Sequence, residues 1–174
     1  LSGPKVTDLV ASGDLDPALA TIFAKGDPRE PIRLYRHQAQ AVAKAKTGQS
    51  YVVTTGTGSG KSLCFFIPII DEIVRGRRMG AARGTKAIII YPMNALANSQ
   101  LEELQSYIRD CDLPDNLKPT FARFTGQEKD VRRQQIVNEN PDIILTNFMM
   151  LELIMTRPSD IDRKVVAAAQ GLDF

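Results

Sequence analysis

The chain has 174 residues, 43% hydrophobic, with a net charge of +2, which suits one domain with a real core and is compatible with nucleic acid without arguing for it. No apolar run approaches the roughly 20 residues of a membrane helix, and residues 1–14 lack a basic segment leading into an apolar stretch, so neither a membrane span nor a secretory signal is expected. The two cysteines, Cys64 and Cys111, have no metal-ligand spacing, so a reducing, cytoplasmic setting is the expectation and Cys64 reads as a small buried filler.

In chain order, residues 1–13 read as a loose lead-in. Asp14 is suited to cap a short helix over 14–24, with Pro17 in its first turn, and 26–31 is rich in turn residues. The organisation expected is therefore a lead-in over 1–32 and a main domain over 33–174. Residues 34–46 are alanine-rich and predict a helix closed near Gly48. Tyr51-Val52-Val53 predicts a short strand over 51–54.

Directly after it comes Thr55-Gly56-Thr57-Gly58-Ser59-Gly60-Lys61-Ser62. Glycines at alternate positions let the backbone turn tightly, so its N–H groups can converge on phosphate oxygens. Lys61 has the reach for β- and γ-phosphates, and the Ser62 hydroxyl suits Mg²⁺. A helix over 61–74 follows, with Leu63, Phe65, Phe66, Ile69, Ile70 and Ile73 on its apolar side and Pro68 inside it. Its positive end faces the same anion. The arginines and lysine at 75, 77, 78, 83 and 86 are interrupted by glycines and read as a solvated loop, with phosphate-backbone contact as the second reading.

Residues 86–91 contain Ala87-Ile88-Ile89-Ile90, a strand buried on both faces. A helix over 95–107 follows, with Leu96, Leu101, Leu104 and Ile108 inward. A strand over 118–124, a charged helix over 127–138 stopped by Asn140-Pro141, a strand over 142–146 and helices over 148–155 and 162–170 complete the alternation. Asp71-Glu72 and Glu102-Glu103 read as helix surface. The fold class is three-layer α/β with a mostly parallel sheet. Ligands of such folds bind at the carboxyl ends of strands. The phosphate loop, the segment from Pro92, Thr125-Gly126 and Thr146-Asn147 are all expected there.

In order and spacing, these segments resemble the first RecA-like domain of superfamily 2 helicases, the group containing the DEAD- and DEAH-box proteins. Leu34-Tyr35-Arg36-His37-Gln38 is similar to the Q-motif region, residues 55–62 to motif I, residues 91–100 to motif Ia with Asn94 where Thr is usual, and residues 144–151 to motif Ib. The forms around His37-Gln38 and Pro92-Met93-Asn94 are closer to bacterial and archaeal DNA repair or phage-defence helicases than to RNA-specific DEAD-box proteins. The resemblance implies an ATP-dependent helicase or translocase, a P-loop NTPase acting on DNA in preference to RNA. ATP and Mg²⁺ would be held by residues 55–62. Gln38 would read adenine through its paired donor and acceptor, and Tyr35 is either a stacking partner for the base or core filler. Pro92, Asn94, Thr125, Gly126, Thr146 and Asn147 would contact a nucleic-acid backbone without base readout. His37 is expected to pack or to act behind the contacting residues.

The family's Asp-Glu pair, which helps hold Mg²⁺ and orients water, is expected beyond Phe174, with Gly171-Leu172-Asp173-Phe174 opening its strand. A second RecA-like domain would supply arginines to the γ-phosphate. On this reading the 174 residues bind nucleotide but hydrolyse little alone. The alternatives are an RNA helicase, a non-helicase P-loop ATPase or kinase, and a binding module with an inert loop.

Overall fold

The computed structural model describes residues 2–169. The strand expected to open at Gly171 lies outside them. The chain divides into two compact units, Leu1–Met79 with Tyr107–Lys118, and Gly80–Ser106 with Pro119–Phe174. The boundary expected at residue 32 falls inside the first.

The first unit begins with β1 (Ser2–Lys5) and α1 (Val6–Ala11), then α2 (Ala18–Ile22), β2 (Ala24–Lys25), β3 (Glu30–Pro31), β4 (Arg33–Tyr35), α3 (Arg36–Ala45) and α4 (Leu63–Arg78). The lead-in is therefore structured. Ser2 pairs antiparallel with Tyr35, and Val6, Leu15, Leu19, Ile22 and Phe23 are buried. No periodicity announces a four-residue strand whose partner lies some thirty residues away. The strand expected over 51–54 is absent among the described elements, and Val52 is 88% exposed. A short extended segment becomes a strand only when another backbone satisfies its ladder; here Tyr51 instead donates its hydroxyl to the Cys64 carbonyl at 2.7 Å.

Helix α4 runs through Pro68 and reaches Arg78, so Arg75, Arg77 and Arg78 lie on its last turn, where cations suit the helix dipole. They are engaged within the unit. Arg75 pairs with Asp71 at 2.7 Å, Arg78 with Asp16 at 2.8 Å, and Arg77 donates to the Lys118 carbonyl. Asp71 is buried, not surface, because its carboxylate also accepts the buried Asp16 N–H at 2.6 Å. A solvated basic loop at these three positions is thereby replaced by a helix end tied inward.

The second unit contains β5 (Ala87–Tyr91), the start of α5 (Asn94–Arg109), β6 (Phe121–Arg123), α6 (Asp130–Glu139), β7 (Ile143–Asn147), α7 (Phe148–Thr156) and α8 (Asp160–Ala168). The strands form a parallel sheet in the order β5-β7-β6. The α/β class with a parallel core sheet and flanking helices is as the alternation predicts. Central β7 buries Ile143, Ile144 and Leu145. A core of Ala122, Phe124, Ile136, Ile144, Met150, Ile154 and Val165 joins β6 and β7 to α6, α7 and α8. Strand β5 is less buried than its apolar run predicts, with Ile90 46% exposed, because it lies at the sheet's edge. Leu96 likewise points outward at 43% exposure. Helix α6 stops at Asn140 in the left-handed conformation, φ 46°, directly before Pro141.

Candidate functional site

Residues 55–62 form an irregular loop running into α4. Gly58 and Gly60 adopt φ of 73° and 68°, a region costly for residues with a Cβ. Among the described residues, no backbone N–H from 56 to 62 has a protein acceptor. A run of donors left open by the protein, ending at a helix N-terminus, is a cradle for an anion. The carbonyls are held instead. Lys61 Nζ donates to the Thr55 and Gly56 carbonyls at 2.9 and 2.6 Å. The Thr55 and Ser59 hydroxyls share a 2.6 Å bond across the turn. Burial pushes the neighbouring Cys64 thiol up from its ordinary 9.0, which keeps it neutral and inert, as a filler should be.

The first turn of α3 lies against this loop. Gln38, 2% exposed, accepts the Tyr35 N–H on Oε1 at 2.7 Å and donates from Nε2 to the Gly60 carbonyl at 2.8 Å. The first bond is the reach-back of a capping box. His37 Nε2 is 3.0 Å from the Ser59 carbonyl. The Tyr35 ring stacks on His37, centroids 5.7 Å apart and planes 11° apart, and stands 50% exposed, so it is not core filler.

A profile of the DEAD/DEAH box helicases matches residues 35–168. The chain belongs to the DEAD/DEAH box helicase family. It is 33% identical over 107 residues to the Druantia protein DruE of Escherichia coli, covering 55% of this chain and 6% of that protein. It is 26% identical over 156 residues to the ATP-dependent RNA helicase ROK1 of Eremothecium gossypii, covering 88% of this chain and 26% of that protein. The helicase MrfA, solved bound to DNA and AMPPNP, has the same fold, with a TM-score of 0.73 at 22% identity over 98% of this chain and 21% of MrfA. The chain thus spans at most about a quarter of these relatives' lengths.

In this helicase-type ATP-binding domain, the other expected contact residues follow the sheet of the second unit. Register pairs Tyr91 with Asn147 and Arg123 with Leu145, so Pro92, Thr125-Gly126 and Thr146-Asn147 share one sheet edge. Pro92 and Gly126 are exposed. The hydroxyls of Thr125 and Thr146 are not presented outward. Both residues are fully buried; Thr146 donates to the Phe124 carbonyl at 2.7 Å, and Thr125 donates its N–H and hydroxyl to Glu128 at 2.6 and 2.8 Å. Strand-end residues in a sheet covered by helices turn inward as readily as outward, so any phosphate grip by these threonines falls to the backbone. Asn147 accepts from Met150 N–H at 2.7 Å, capping α7, and donates to Asn94 Oδ1 at 2.5 Å. Capping and the link between the segments that follow β5 and β7 coexist in one side chain.

Several supporting residues escape the sequence reading. Arg123 donates to Asn98 on α5 and to Glu128, so the segment after β5 and the turn after β6 share one polar network. Thr125-x-x-Glu128 is a capping-box spacing and signals part of it; nothing in the sequence signals Asn98. Ser62, the residue expected to hold Mg²⁺, stands at the N-cap of α4. Among the described residues, no group of three His, Cys, Asp or Glu side chains is placed to hold a metal.

Proposed function

We propose that this domain binds ATP with Mg²⁺ as one half of a nucleic-acid-stimulated motor, a helicase or translocase acting on DNA in preference to RNA. The observation that carries the reading is the run of backbone N–H groups over 56–62, which includes Lys61, leads into α4 and has no acceptor among the described residues. Lys61 exchanges its carbonyl partners for phosphate oxygens, and Ser62 takes a place on Mg²⁺. The bound nucleotide supplies the phosphoanhydride whose cleavage drives the motor. Gln38 retains a second amide hydrogen and a second lone pair beyond its present bonds, and these match the edge of adenine. Tyr35 offers an exposed ring face beside it.

The preference for DNA draws support from MrfA, solved with DNA; ROK1, an RNA helicase, favours the alternative. Nucleic acid contacts the sheet edge through Pro92, Asn94, Gly126, Asn147 and the backbone at Thr125 and Thr146, without base readout. Closure of a second RecA-like domain completes the ATPase centre, so the 174 residues alone turn over little ATP. Calorimetric titration with ADP and GDP in Mg²⁺ tests the nucleotide assignment. ADP is expected to bind more tightly, and equal affinities would sink the role of Gln38. Phosphate release from the longer protein, with single-stranded DNA, duplex DNA and RNA in turn, tests the motor; no stimulation by any of them would refute it.

A further inference from the structure

We propose that His37 is a positioning residue of the nucleotide site, setting the orientation of the Ser59–Gly60 peptide through its Nε2–H; this rests on the nucleotide reading above. A carbonyl oxygen only accepts, so the 3.0 Å contact to Ser59 requires Nε2 to carry the proton. Gln38, the next residue, donates to the next carbonyl, Gly60, at 2.8 Å. Neighbouring side chains of the first turn of α3 thus hold successive carbonyls of the loop.

The peptide unit is planar and trans, so each carbonyl points opposite to the N–H that follows it. Drawing the Ser59 carbonyl toward α3 turns the Gly60 N–H away from α3. Drawing the Gly60 carbonyl the same way turns the Lys61 N–H away as well. Both donors then face one side, which Gly60 permits at φ 68°. Successive N–H groups aimed at one point make an anion nest. The two carbonyls are not held equally. Gly60 also accepts from the Leu63 N–H at 3.2 Å, within the turn entering α4. For Ser59, His37 is the donor among the described residues. The Tyr35 ring, stacked on the imidazole, fixes the ring's plane from its outer face. His37 therefore acts on the phosphate half of any nucleotide and not on the base, whereas Gln38 serves both.

The test combines two variants with a measurement on the unmodified chain. His37→Phe keeps a ring for Tyr35 to stack on but has no donor. His37→Gln restores an N–H near the position of Nε2. By calorimetry in Mg²⁺, His37→Phe is expected to weaken ADP and GDP by the same factor, about three- to tenfold, while His37→Gln recovers most of the loss. Unaltered affinity in His37→Phe, or no recovery in His37→Gln, overturns the proposal. The chain contains one histidine, so nitrogen-15 spectra report on His37 without assignment. A proton on Nε2 is expected; the tautomer protonated only at Nδ1 overturns the proposal even if a variant fails to fold. An unmodified chain that binds neither nucleotide instead refutes the nucleotide reading, and the spectrum still decides the contact.

Discussion

Replacing Gly60 with alanine tests the loop geometry most directly. A Cβ built on Gly60 comes within 2.7 Å of Gln38 Nε2. The Gln38 amide must then swing away, and at 2% exposure it has little room to do so without losing its bonds to Gly60 and Tyr35. The substitution also places a side chain at φ 68°, a cost of about 1–2 kcal/mol. Loss of one amide hydrogen bond adds about 1 kcal/mol. The sum, about 2–3 kcal/mol, corresponds to roughly fiftyfold weaker ADP binding if the loop must hold this shape around phosphate. Gly58 is the internal control. Its φ is 73°, but nothing lies within 4 Å of its Cβ position, so Gly58→Ala carries the backbone strain alone, about tenfold. Calorimetric titration of both variants with ADP and Mg²⁺ reads the difference. In a Gln38→Ala background the gap between the two should close, as a double-mutant cycle requires when the coupling is local. Gly60→Ala binding as tightly as Gly58→Ala would refute the clasp between α3 and the loop.

Lys61→Ala should abolish ATP turnover in the longer protein and leave the fold intact, since among the described residues Lys61 bonds loop carbonyls alone; unchanged phosphate release would refute the motor reading. Asp71→Ala should destabilise the first unit by about 2 kcal/mol in urea unfolding, because it strands the buried Asp16 N–H; a shift within error would show that this amide finds another partner. Asn147→Ala should cost about 1 kcal/mol by removing the α7 cap, again read by urea unfolding. For alkaline pH, burial raises the Cys64 and Cys111 thiols above 9.0 and the Tyr51 phenol above 10.0. The folded state therefore holds these protons more tightly than the unfolded one. The associated stability is present below pH 9.0 and falls as pH rises through the raised values, which chemical unfolding across that window measures; stability rising there would contradict the burial of these groups.

The parts of the fold that sequence reveals are those with local causes. Unbroken apolar runs mark β5 and β7, and Asn140-Pro141 marks the end of α6 within a residue. The missed elements have distant causes. Pairing of Ser2 with Tyr35 and of Ala24 with Pro31 is written in no periodicity. The same divide runs through the candidate site. Glycine spacing announces a loop able to aim its N–H groups, and Gln38 announces a paired donor and acceptor, but Thr125 and Thr146 look like free hydroxyls only until their burial is known.

Glycine supplies freedom, not direction. A loop free to adopt φ of 73° and 68° is equally free to turn its N–H groups elsewhere. Direction in this domain comes from outside the loop, from His37 and Gln38 on carbonyls 22 residues away in sequence. A phosphate-binding motif read alone therefore describes a set of permitted shapes. The side chains that hold its carbonyls select the shape in which the donors converge, which is why substitutions at residues never touching phosphate are expected to change nucleotide affinity while leaving the motif intact.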